Sequence, residues 1–579
     1  MTKDAAGIGS KSNSKSWEEN QKKCIVVDIN GNGNYISVSE AINEANPGDT
    51  IKILPGTYSE ELIIDKPEIE LIGEGKREEI LVQSNGHIVP LFKATAGRIA
   101  NLSFKQISSD EKVCIDIAQG RLLLEGCDIS SDGSACIIVH DGANPRLTYN
   151  IIHDGKQSGI VILNKGYGIF ENNDIYGNSY SGVEVLAFGN PTFRHNSIHD
   201  GKQSGIFIHH KGHGLFEHND VFNNLLAGAE IRDEGNPIFR NNKIFENHKN
   251  GIIIHEKGIG ILEENDIFNN EYDGVLIRSG GNPTMRCNRI FEGKQGGIFF
   301  LDNGNGTLEE NEIYGNISDG IALRAGANPT LRRNRIFDGK SNGVYIWENG
   351  LGLFEENDIF GNIHGVEIKS EANPIIRGNS VRDNRENGFL IQEGGKGIIE
   401  NNDVRGNTFS GMEIRTNSCP IIRRNCIHDG KQNGILIQNK GLGIIEENEI
   451  FINAFSGIEI RSEANPVISN NNIHDNRENG VLIHSNGLGL LESNHINENL
   501  YSGVAIIKNG NPVVRRNVIN KNNLQGILIE DGGQGTIERN DLRNNLKAPL
   551  QISDDCKLKA KLNKNIIVNM SSASRKNPI

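Results

Sequence analysis

The aliphatic residues of this chain fall in short alternating runs, such as Gly-Ile-Phe-Ile-His-His at 205–210 and Gly-Val-Leu-Ile-Arg-Ser at 274–279, divided by Gly, Asn and Asp. Alternation over so few residues is the period of a strand with one buried face, not of a helix. The runs return on a fixed spacing. Asn-Pro stands at Asn144, Asn190, Asn236, Asn282, Asn328, Asn373, Asn465 and Asn511, with Cys419-Pro420 in the one gap, and every step is 46 residues except a single 45. Each step splits into halves of 23, which line up a glycine column from Gly159 to Gly526 and an asparagine column from Asn150 to Asn540.

Twenty-three residues holding two or three short strands and tight turns make one coil of a parallel β-helix. The expected fold is therefore all-β: a right-handed parallel β-helix of 23-residue coils paired as 46-residue repeats, with coils stacked about 4.8 Å apart. An asparagine column suits such stacking because the amide both donates and accepts. Glycine suits a bend of positive φ or a close backbone approach. One column alternates in sign: Glu171, Arg194, Glu217, Arg240, Glu263, Arg286, Glu309, Arg332, Glu355, Arg377, Glu400, Arg423, Glu446. Stacked coils then place opposite charges side by side, at about 0.2–1 kcal/mol for each exposed pair. The missing residue lies between Asn362 and Gly365.

The pattern divides the chain into a polar tail (1–23), an N-terminal cap with irregular first coils (24–143), the regular repeats (144–546), and a C-terminal cap with a tail (547–579). A short helix around Ser39–Ala45 is expected to cover the open edge of the first coil, which would otherwise pair with other chains.

Composition narrows the function classes. With 579 residues and a net charge of -14, the chain is acidic and has no basic block, so phosphate-driven binding of nucleic acid is not expected. No run of eighteen apolar residues suggests a membrane span. The first residues lack the apolar core of a secretory signal, and the eight cysteines form no CxxC pair. Those features suit a reducing compartment, cytoplasmic or nuclear.

Candidate chemistry is judged by its column. Ile-His-Asp-Gly-Lys-Gln-Ser-Gly-Ile occurs at both 152–160 and 198–206, but its His column reads His153, Tyr176, His199, Phe222, Phe245, Phe268, Phe291, Tyr314, Phe337, Phe360, and returns to His428, Phe451 and His474. Phe cannot replace a catalytic His, whereas both supply a flat ring for stacking. Glu184, Glu230, Glu367, Glu413 and Glu459 share an outward strand column, and successive copies two coils apart are roughly 9–10 Å from one another. The spacing recurs along the rod and singles out no copy. No catalytic residue, metal ligand set or cofactor site is therefore expected.

The remaining surface of interest is a stripe. Arg232, Arg278, Arg324, Lys369, Arg415 and Arg461 stand on every second coil, interleaved with His209, His255, Leu301, Trp347, Gln392, Gln438 and His484. Cationic heads between rings and amides can hold an acidic extended peptide or an anionic glycan by charge-assisted hydrogen bonds. The bland alternative is a solvated face tied by Glu–Arg pairs.

Two resemblances bear on function. Gly-Asp-Thr-Ile at 48–51 with Pro-Gly-Thr-Tyr at 55–58 resembles the opening of pectin-lyase-like β-helices. Stretches such as Asn-Ser-Cys-Pro-Ile-Ile-Arg-Arg-Asn-Cys-Ile-His-Asp-Gly-Lys-Gln-Asn-Gly-Ile at 417–435 resemble the β-helix of the F-box-only protein family (the eleventh member and its relatives), over about residues 100–545 and without the F-box. In that family the β-helix is the substrate receptor of a ubiquitin ligase. The resemblance implies an intracellular recognition scaffold that binds a protein partner along a lateral face and is not an enzyme. The pectin-lyase-like likeness implies the alternative, a polysaccharide-active lyase, hydrolase or epimerase. Gly-His-Gly at 212–214 and Asp-Asp-Cys at 554–556 resemble hydrolase motifs of that fold, but they stand in reversed order, and His213 falls in a column of variable turn residues.

Overall fold

The computed structural model describes residues 22–108 and 110–567. Most of the expected N-terminal tail and all of the last residues lie outside these. Each regular coil contributes three strands of three residues, as in Thr192–Arg194, Ser197–His199 and Ile206–Ile208. The next coil pairs with all three in parallel, Thr192 with Leu215, Ser197 with Asp220 and Ile206 with Ala229. Three parallel sheets run the length of the rod, and the first has 24 strands. The expected right-handed parallel β-helix is the observed fold.

The three sheets face the core differently. In the first two, the middle residue of each strand points inward, and in the third the two outer ones do. Phe170, Phe193, Phe216 and Phe239 stack inside the first sheet, with ring centroids 4.3–5.3 Å apart. Ile198 and its equivalents line the second sheet, and Ile206 and Ile208 the third. The result is one continuous apolar core.

Asparagine closes the corner between the first two sheets. Asn196 Oδ1 accepts from the backbone N–H and the side-chain Nδ2 of Asn173. Its own Nδ2 donates to Phe170 O and to Asn219 Oδ1, each at 2.9 Å. Every buried amide hydrogen-bonding group at this corner is thereby satisfied. A second ladder, through Asn224, Asn247 and Asn270, holds the turn after the second sheet. It was visible in the sequence as a further Asn column but went unread. Close approach, not positive φ, explains the glycine column: a Cβ on Gly251 would lie 2.5 Å from Gly274 O.

The outward columns also stack as expected. Arg240 bridges Glu217 at 3.2 Å and Glu263 at 2.9 Å, and Arg194 reaches Glu217 at 2.9 Å. The 22-residue coil keeps the ladder intact, since Asn357 still donates to Asn379 Oδ1 at 2.8 Å.

At the N-terminal end the helix spans Val38–Glu44 and buries Val38, Ala41 and Ile42. Glu60 accepts from Ser37 Oγ and from the backbone N–H of Val38 and Ser39, while Lys66 donates to the carbonyls of Ile42 and Ala45. An anion at the first turn and a cation at the last complement the helix dipole. At the other end, pairing continues past the expected boundary through Ala548–Ile552 and Ala560–Asn563.

The Asn ladder gives a direct test. Asn288→Ala removes the donor to Leu262 O and Asn311 and the acceptor for Asn265. Leaving several buried groups unpaired should cost about 3–5 kcal/mol. The expected outcome is a clear drop in the urea midpoint, with little change for the exposed turn variant Lys202→Ala.

Candidate functional site

The repeated His-Asp motif is a stacking element. His199 lies between the rings of Tyr176 and Phe222, at centroid distances of 5.4 and 4.7 Å. Its two ring nitrogens face Asp174 and Asp200. Those carboxylates brace the ring edge-on, a role not read from the sequence.

The cationic stripe lies on and just beyond the outer face of the third sheet, and much of it is engaged with its neighbours. Arg415 donates to Gln392 Oε1 at 2.9 Å and to Glu413 Oε1 at 3.3 Å. Arg461 repeats this with Gln438 and Glu459. Glu413 is only 7% exposed and also accepts from Asn387 and Gln438. Lys369 sits 5.3 Å from the Tyr345 ring centroid and 3.9 Å from Glu393. Arg232 lies over Phe207, and Arg278 is exposed. His209 and His255 each hold a strand glutamate, Glu184 and Glu230, at 3.1 Å. Burial pushes the Glu184 carboxyl up, but hydrogen bonds from His209 and Ser158 outweigh it and hold the group below its ordinary range.

Arg324 and Trp347 belong to a different arrangement. The outward column of the third sheet reads Leu276, Phe299, Ala322, Tyr345 on successive coils. Ala322 leaves a notch one coil tall between two rings. Trp347 leans across it, stacked on Tyr345 at 4.3 Å and on Phe299 at 5.8 Å between centroids. Arg324 lies over both Phe299 and Trp347. The concavity measures about 470 Å³, within the size of a small-ligand site.

Its other wall carries two carboxylates, Asp273 and Asp319. Both precede the glycine column, where other coils carry Ser, Asn, Ala, Gly, His or Gln. They flank Gly296, so they are two coils apart, roughly 9–10 Å between backbones. Asp273 Oδ1 accepts from Gly296 N–H at 3.0 Å, and Asp319 Oδ1 accepts from Ser341 Oγ at 2.8 Å and Asn342 N–H at 3.1 Å. Burial raises the Asp273 pKa to about 6 despite these donors, and burial raises Asp319 as well. Asp273 and Asp319 were not among the candidate residues of the sequence, where the outward Glu column offers carboxylates at the same two-coil spacing. The signal was present: these are the only Asp residues in their column.

The residues spanning 91–239, 227–366, 341–443 and 430–567 match the family described as the right-handed β-helix region. The chain belongs to that family. The match does not extend to the F-box-only proteins. No curated protein matches the chain. Among solved structures, it is similar to the A-module of the Azotobacter vinelandii mannuronan C-5 epimerase AlgE6, at 16% identity over 59% of this chain and 92% of that one, with a TM-score of 0.36. It is similar to a PL6 alginate lyase in complex with a trisaccharide, at 12% identity over 54% and 86%, with a TM-score of 0.40. It is also similar to the pectate lyase Pel9A, at 15% identity over 48% and 76%, with a TM-score of 0.30. At these identities the likeness is one of fold. The expectation of a protein-binding scaffold is corrected: much of the stripe on which it rested is engaged in internal hydrogen bonds, and the similar structures are an epimerase and two lyases by name.

Asp273 yields a pH-dependent stability. Its folded pKa of about 6 stands above the ordinary value of 3.8, so the folded chain binds the proton more tightly than the unfolded chain. Stability therefore falls as pH rises from about 4 to 6, by up to about 3 kcal/mol, and stays lower above that. Asp273→Asn should be more stable than the parent at pH 7.5 and close to it at pH 4, as read by thermal unfolding at both values.

Proposed function

We propose that this β-helix is a polysaccharide-active enzyme that binds an extended glycan across the Ala322 notch and cleaves it by hydrolysis. One observation carries the reading: a platform of three rings faces two carboxylates of raised pKa at a single place on an otherwise repetitive rod. Sugar rings present apolar C–H faces, which pack on aromatic rings, while their hydroxyls hydrogen-bond to flanking polar groups. Lys294 and Arg324 also line the concavity and suit a glycan that carries carboxylates.

Glycoside hydrolysis needs a proton donor on the leaving oxygen and a base for water. Asp273, which keeps its proton to about pH 6, is the donor. Asp319 is the base, and its raised pKa makes it a stronger one. Their backbones stand two coils apart, roughly 9–10 Å, which leaves space between the two carboxylates for a sugar and a water, the arrangement that inversion at the anomeric carbon requires.

The test is incubation with a panel of uronate and neutral polysaccharides, with new reducing ends and anomer followed by NMR. Turnover is expected on an acidic glycan, falling as pH rises above about 6. Asp273→Asn and Asp319→Asn should each lower kcat about 10²–10⁴-fold, and Trp347→Ala should raise KM with a smaller effect on kcat. Lack of turnover across the panel, or turnover that survives both Asp substitutions, would sink the reading.

A further inference from the structure

One turn of the rod carries two adjacent histidines. After the strand Ile206–Ile208 the chain reads His209-His210-Lys211, where the coil before has Leu186-Ala187-Phe188 and the coil after has Arg232-Asp233-Glu234. His210 and Lys211 both take left-handed backbone angles, φ 46° and 62°. That reversal brings the His210 ring back against His209, with centroids 4.7 Å apart and planes at 75°. The two Nδ1 atoms face each other at 2.5 Å.

The proton positions follow from the partners. His209 Nε2 lies 3.1 Å from Glu184 Oε1, so the neutral ring carries its proton there and presents a lone pair at Nδ1. Glu184 is held in turn by Ser158 Oγ at 2.7 Å. The Phe207 ring stacks on His209 at 4.2 Å and limits its rotation. From the next coil, Asp233 Oδ2 lies 3.6 Å from His210 Nδ1. One ligand atom from each of His209, His210 and Asp233 falls within 4.8 Å of the others.

We propose that His209, His210 and Asp233 bind one divalent first-row transition-metal ion of the zinc class, with Glu184 as the positioning residue for His209. Two imidazole nitrogens and a carboxylate oxygen are a ligand set for such an ion and leave a fourth position open. A carboxylate behind a ligating histidine fixes its tautomer and raises its basicity. The site borders a concavity of about 630 Å³ whose walls include Lys211, Glu234, Glu256 and Lys257. The opposing charge is Arg232, whose Nε lies 3.7 Å from Asp233 Oδ2. That pair is long, and Arg232 Nε is buried without a hydrogen-bond partner among the described residues. On the Asp233 side coordination therefore displaces only a weak contact, and between the two imidazoles the ion replaces the Nδ1···Nδ1 contact as the rings open to receive it. Sister coils keep the glutamate–histidine pair but not the second imidazole: His255 is followed by Glu256 and His484 by Ser485. The site thus occurs at a single place on the rod, around His209 and His210, apart from the Ala322 notch.

The experiment uses untagged, chelator-stripped full-length protein, titrated with zinc chloride by calorimetry and with cobalt(II) by visible absorption. One equivalent of each ion should bind at micromolar protein. His210→Ala, at an exposed ring that the fold does not need, and Asp233→Asn should each weaken binding at least about 10-fold. Glu184→Gln should weaken it about 10–100-fold and shift the cobalt spectrum. His255→Ala should change nothing. Failure of zinc and cobalt to bind stoichiometrically overturns the proposal. So does one-equivalent binding unaltered in His210→Ala, which would place the ion on cysteines or elsewhere.

Discussion

The hydrogen-bonded asparagine corner is the constraint on which the other columns depend. Its short, uncharged amide has two N–H donors and an oxygen that accepts twice, so it can accept from the coil before while donating both to the coil after and to a core carbonyl, which a hydroxyl with its single donor cannot do. Asn173, Asn196 and Asn219 do so through both backbone and side chain, fully buried. A slip of one residue would turn every strand over and would leave these amides unpaired in the core. Register is thus fixed coil by coil. Once it is fixed, the stacking of Phe193 on Phe216, of His199 on Phe222 and of Arg240 between two glutamates follows without further specification.

Repetition explains why so much apparent chemistry here is structural. A group that recurs along the rod has been placed by the stacking, and its partners are the residues stacked on it from the neighbouring coils. Departures from a column carry the opposite meaning, because stacking does not require them. Ala322 between the rings of Phe299 and Tyr345, Asp273 and Asp319 among Ser and Asn, and His210 among turn residues are departures of this kind. Each removes or alters an outward group without touching the Asn ladder or the inward Ile and Phe columns. A local site can then be built at little cost to the fold.

The architecture was legible because its period is written in residues that have few substitutes, Asn at the corner and Gly where backbones meet. The sign alternation from Glu171 to Glu446 and the ring column through His199 were legible for the same reason. The site was not, although its residues stood in view. Trp347 and Arg324 were read as members of a cationic stripe, yet Trp347 reaches back two coils to Phe299 because Ala322 leaves the space. A side chain that leans along the axis leaves no periodic trace. Likewise Arg415 and Arg461 looked free in one dimension, while the Gln column one coil away supplies their acceptors.

The three sheets are not equivalent as places to build a site. Strands of the first two sheets point two residues outward, and these pair with their copies above and below as ion pairs or stacked rings. Such a face gains from being uniform. A third-sheet strand points a single residue outward, and that column holds Glu, Phe, Leu, Ile, Val, Ala and Tyr with little mutual pairing. Substitution there costs less, since the strand is anchored by its two inward residues, Ile or Val in most coils. The turn that follows uses paired left-handed residues, which re-aim the chain and bring neighbouring side chains together. Both the notch at Ala322 and the histidine pair at His209 lie on this one face. Where the stacking rule leaves the outward column free, the rod has room for chemistry.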